Sequence, residues 1–112
     1  MRWKLFLTKK DNMKIFLDDV RKPPKGWIKV KNYYSFVIVV FLFKRCITDI
    51  SFDHDLGTKH TGYDCANYIE KLAFYGRIQP IDWYVHSANP AGRDRIIAAM
   101  ESAYRFWTQK KG

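Results

Sequence analysis

Two cysteines in 112 residues, Cys46 and Cys65, are too few for a disulfide framework. Neither stands at metal-ligand spacing from a partner, so a structural zinc site is not expected, and both read as small buried hydrophobes. Long apolar runs are also missing. The longest, Phe36 to Phe43, has eight residues, against the ~20 needed to span a bilayer. Trp3 to Leu7 is too short, and too interrupted by Lys4, to serve as a secretory segment. A cytoplasmic protein without a membrane partner is the expectation. Acids are scarce: eleven Asp and Glu face twenty Lys and Arg, for a net charge of +9. That balance favours anionic partners: nucleic acid, nucleotides or acidic lipid.

What is present is an ordinary globular composition, 47% hydrophobic and 28% charged, in a length that suits one domain. Residues 1–12 carry Arg2, Lys4, Lys9 and Lys10 against Asp11, and read either as a basic leader or as an extra edge strand. Lys14 to Leu17 is a short apolar run ending in Asp18-Asp19, the pattern of a buried strand. A Pro23-Pro24 loop follows, then a second short strand from Trp27 to Val30. Tyr33 to Arg45 is β-branched enough for a strand and long enough for a helix. A buried helix is predicted, because parallel strands need a connection there. Asp49 to Asp53 is a third strand, again ending in polar residues, Asp53, His54 and Asp55. Ala66, Tyr68-Ile69 and Leu72-Ala73 recur at helical spacing until Gly76. Ile81 to Val85 is a fourth strand, ending in His86-Ser87. Asn89-Pro90 opens a last helix whose apolar face runs from Ile96 to Trp107. Lys110 to Gly112 is a basic tail.

Strands alternating with helices predict an α/β fold with a mostly parallel sheet, and such sheets bind ligands beyond the carboxyl ends of their strands. Three of the four predicted strands end in reactive groups. Gathered carboxylates are tolerated if solvated or if a cation sits among them; Mg²⁺ takes such oxygen ligands together with phosphate oxygens. Imidazoles beside them suit proton transfer at neutral pH. Ser87 can donate to a phosphoryl oxygen, and the helix start from Asn89 to Arg93 offers free N–H groups to an anion. Arg93 and Arg21 can clamp one. Taken singly, an Asp-Asp pair after a strand is ordinary turn chemistry. His60, between Lys59 and Thr61, reads as a solvent-exposed loop residue.

Three segments resemble the cyclic-phosphate-processing receiver family. They are Met13 to Arg21 with Pro23-Pro24 and Gly26-Trp27, then Ile50 to Gly57 with Thr61 to Asp64, and Val85 to Arg93. The resemblance implies a small receiver-like (Rossmannoid) three-layer fold over residues 13–109, with a four-stranded sheet lacking the fifth receiver strand. It implies that Asp18, Asp19, Asp53 and Asp55 surround a Mg²⁺ or Mn²⁺ ion, with Asp53 at the phosphoacceptor position. His54, His86 and Asp53 become the catalytic candidates, and Ser87, Asn89, Arg93 and Arg21 the substrate-binding ones. The helix expected between the first two strands and the phosphate-pairing lysine are missing, so no phosphorelay kinase is expected as partner. The implied activity is hydrolysis of a cyclic phosphate, at RNA 2′,3′-cyclic ends or in cyclic nucleotides. The alternative is a nucleotide-binding module that does not turn its ligand over. Phe36 to Phe43, apolar all round, implies either deeper burial or an oligomer contact such as a homodimer.

Overall fold

A computed structural model describes residues 12–109; the basic leader or edge strand, apart from Asn12, and the basic tail lie outside the described residues. The elements are β1 (Met13–Leu17), β2 (Trp27–Val30), α1 (Tyr33–Phe43), β3 (Ile47–Phe52), α2 (Gly62–Phe74), β4 (Asp82–Val85) and α3 (Pro90–Gln109). The four strands form one sheet in the order β2-β1-β3-β4, with every pairing parallel.

Register divides the sheet into two unlike faces. Ile15, Ile28, Ile50 and Trp83 share one row, and Leu17, Val30, Phe52 and Val85 share the next row on the same face. That face meets Phe36 and Val40 of α1, Cys65, Ala66 and Ile69 of α2, and Ile96, Met100 and Ala103 of α3 in a single core. The opposite face carries Phe16, Trp27, Lys29, Ser51 and Tyr84 and contributes nothing to that core.

The expected third layer is therefore missing among the described residues. Right-handed crossovers from β2 to β3 and from β3 to β4 run in the same direction and place their helices on the same face. Only the β1–β2 connection runs the other way, and residues 18–26 there are loop instead of helix. This reversal of direction between β1 and β3 is the topological switch point, where open α/β sheets form their crevice.

The helix boundaries follow local chemistry. Asn32 Oδ1 accepts from Ser35 N–H at the start of α1, and Asn89 Oδ1 accepts from Gly92 N–H at the start of α3. Asp64 reaches back to the Thr61 N–H, at 2.8 Å, at the start of α2. Past the end of α2, Gly76 takes φ +67°, a left-handed conformation that glycine adopts without strain. The predicted helix over 33–45 is present as α1, but its burial is one-sided: only Phe36 and Val40 are buried. No helix among the described residues is long and apolar enough to cross a membrane.

Candidate active site

Leu17, Phe52 and Val85 are register partners at the ends of β1, β3 and β4. The next residue on each strand is Asp18, Asp53 and His86. Backbone bonds carry the ladder one step further: Asp53 N–H donates to Leu17 O at 3.0 Å, and His86 N–H donates to Phe52 O at 2.9 Å. Three polar side chains thus stand in one row across three strands, and the pleat turns them away from the apolar core. One ligand atom from each lies within 4.8 Å of the others.

The row is strongly tied down. Asp18 is 1% exposed. Its Oδ1 accepts from the N–H groups of Val20 and Arg21, both at 2.8 Å. Its Oδ2 meets His86 Nε2 at 3.0 Å, with an Arg21 Nη 3.8 Å away. An ionised carboxylate only accepts, so Nε2 carries a proton. The other nitrogen, Nδ1, lies 2.7 Å from Ser51 Oγ. Phe16 stacks on the imidazole with ring centroids 4.3 Å apart and planes 5° from parallel. Arg21 closes the assembly by donating to His86 O at 2.7 Å.

The two acids respond oppositely. Burial alone would raise Asp18, but the N–H bonds of Arg21 and Val20 and the neighbouring His86 outweigh it, so its carboxyl sits below the ordinary value. Burial raises Asp53, the charge of Asp18 raises it further, and the His54 N–H only partly offsets this. Two like charges in one half-buried row favour a cation between them.

His54 stands apart from this row. Its Nδ1 lies 3.2 Å from Asp55 Oδ1, and the described residues offer its Nε2 no hydrogen-bond partner. Gly92 packs so closely on the His54 ring that a Cβ there would overlap it, and a Cβ on Gly62 would overlap Asp53 O. These two glycines let the N-terminal ends of α3 and α2, their positive dipole ends, reach the site.

Asp55 is exposed and is met by Asn89 Nδ2 at 3.4 Å. Asp19 flanks the row against Gly57, whose added Cβ would come within 2.9 Å of Asp19 Oδ2. Ser87 Oγ accepts from the Asn89 N–H, and Arg93 donates to Val85 O. Of the four anion-binding candidates, Arg21 is the one that touches the row itself. Ser51 and Phe16 were not among the sequence candidates. Strand alternation was the available signal, since Ser51 is polar between Ile50 and Phe52 and shares the parity of Asp53. His60 stays in the loop and partly exposed, but it also stacks on Tyr33 at 4.4 Å and lies 3.3 Å from Asp64, at the start of α2.

A separate groove of about 1040 Å³ opens at the other end of the sheet, lined by Lys44, Arg45, Phe74, Arg77 and Trp107 among others. Its cations lie just past the carboxyl ends of α1 and α2, where they offset the helix dipoles. It holds none of the reactive groups.

The family model for the cyclic-phosphate processing receiver domain matches residues 13–102. No curated protein and no solved structure matches the chain.

Proposed function

The chain belongs to the cyclic-phosphate processing receiver domain family, and on that premise we propose that it hydrolyses a cyclic phosphate at the Asp18–Asp53–His86 row. The substrate class is an RNA 2′,3′-cyclic end or a cyclic nucleotide. One observation carries this reading: two carboxylates and an imidazole converge within 4.8 Å at the switch point of a parallel sheet.

The donor set fits a hard divalent cation. Asp18 and Asp53 would hold Mg²⁺ or Mn²⁺ by their oxygens, with Asp19 and Asp55 flanking. When bound, the ion neutralises charge on the phosphoryl oxygens. The residues then divide the remaining work. Water adds to phosphorus, the bond to one ribose oxygen breaks, and the ring opens to a phosphomonoester. His54, whose Nε2 is open, takes the proton of the attacking water. His86, as an imidazolium whose Nδ1–H donates to Ser51 Oγ and whose ring stacks on Phe16, gives its Nε2 proton to the departing oxygen and is left a neutral imidazole. Arg21 and the amides at the start of α3 orient the phosphate.

The test is turnover of a panel of 2′,3′-cyclic mononucleotides, 3′,5′-cyclic nucleotides and cyclic oligonucleotides, with Mg²⁺, Mn²⁺ or chelator. Product is expected from the native chain with metal. His54→Ala and His86→Ala are each expected to lose ~10²-fold or more in turnover while keeping Mn²⁺ affinity. Weakened Mn²⁺ binding by His86→Ala would make that imidazole a metal ligand instead of the acid. A ligand retained intact throughout would replace hydrolysis with the binding-module reading.

A further inference from the structure

α1 carries an apolar stripe that stands outside the core, with Tyr34 edged against the rings of Tyr33 and His60. Tyr34, Ile38, Phe41 and Leu42 are 66%, 58%, 66% and 63% exposed, while Phe36 and Val40 on the inner side are fully buried. The spacing i, i+4, i+7, i+8 puts all four on one side of the helix. Single exposed apolar residues are ordinary, but a contiguous stripe of four marks a contact surface. No residue from Tyr33 to Phe43 is charged.

The surrounding charge says what that surface meets. Between Asp19 and Asp49 the chain has no Asp or Glu and seven Lys and Arg: five before α1, then Lys44 and Arg45 directly after it. Lys31 and Arg45, at the two ends of the helix, are exposed, and Lys44 Nζ lies 5.9 Å from the centre of the Phe41 ring. β2, which bears Lys29 and is followed directly by Lys31, is the edge strand of the sheet. The patch is therefore apolar in the middle and cationic at both ends, with Lys31 before the helix and Lys44 and Arg45 after it.

We propose that this β2–α1 edge docks on an anionic bilayer surface, with α1 lying in the interface. At ~1.5 Å per residue an eleven-residue helix is far too short to cross a ~30 Å hydrocarbon core. It suits the boundary between headgroups and acyl chains, where apolar side chains bury and flanking cations meet anionic lipid. A second copy of the chain fits less well, because Lys31, Lys44 and Arg45 of each copy would outnumber Asp64, which stands beside His60 at the Tyr34 end of the stripe. Nucleic acid fits the cations but offers nothing to Ile38 and Leu42.

Cosedimentation with vesicles tests this directly, using phosphatidylcholine alone and phosphatidylcholine with phosphatidylserine. The native chain is expected to bind the anionic vesicles, to bind the neutral ones at least ~10-fold more weakly, and to weaken with added salt. Ile38→Asn/Phe41→Asn and Lys44→Glu/Arg45→Glu are each expected to lose ~10-fold or more in vesicle affinity. The first pair alters side chains more than half exposed, so circular dichroism should match the native spectrum. Three results would overturn the proposal: no binding of the native chain to anionic vesicles, binding that both variants retain, or a solution dimer that Ile38→Asn/Phe41→Asn dissolves.

Discussion

Asp18 and Asp53 carry the same sign in adjacent strands, and their surroundings push their titrations apart. Asp18 is depressed, so it contributes stability that is present above its unfolded value and lost as pH falls through the lower folded value. Asp53 is raised, so at neutral pH its charge opposes folding, and that cost vanishes as pH falls through the raised folded value. In the metal-free protein at pH ~7, Asp53→Asn should therefore raise the melting temperature. Asp18→Asn should lower it by ~1–3 kcal/mol of stability, since its new amide would face the Nε2–H of His86. Near pH ~4 the gain from Asp53→Asn should be gone while part of the Asp18→Asn deficit persists. Melting curves across pH with chelator present measure both, and parallel curves for the two variants would refute the division. The acids and both histidines were legible in the sequence because each follows an apolar run. Ser51 and Phe16 were not, because a lone serine or phenylalanine inside a strand gains its role only when register sets it beside the His86 ring.

The helices place the site by how closely they approach it. α3 begins against His54 only because Gly92 has no side chain, and its first turn is held by Asn89, whose amide also reaches Asp55. Gly92→Ala must move either the imidazole or the helix start, at an expected cost of ~1–3 kcal/mol. Asn32→Ala, at the start of α1 and outside the site, should cost ~1 kcal/mol through the lost cap. The glycine change should lower turnover by more than its stability cost explains, because it displaces His54, whereas the cap variant should stay active wherever it is folded. Steady-state kinetics well below both melting temperatures separate them; equal activity losses would show that Gly92 serves packing alone. The start of α3 was readable from Asn89-Pro90. The one-sided burial of α1 was not, because a segment apolar at every position gives no periodicity from which to choose its inner face.

At the scale of the molecule, the parallel sense of the sheet follows from alternating elements, and the single-faced helix layer follows from the loop that replaces one crossover. The sequence showed that loop, but its consequence depended on the direction of each crossover, which residue patterns do not encode. The same architecture gathers the carboxylates on a chain whose net charge is +9. Such a surface repels free divalent cations, so stabilisation by Mn²⁺ reports the acidic row and not diffuse binding. Ion binding to the folded state alone adds ~2.7 kcal/mol at 100 times the dissociation constant. For a domain of this size that is a rise of roughly 10 °C or more in melting temperature. The rise is expected in the native chain, with most of it lost in Asp53→Asn, which removes an oxygen donor and the like-charge repulsion that the ion relieves. Added Na⁺ at matched ionic strength should not reproduce it. An equal rise in Asp53→Asn would place the ion elsewhere on the protein, and no rise at all would leave Asp18, His86 and Ser51 as a metal-free relay, with turnover then expected to persist in chelator.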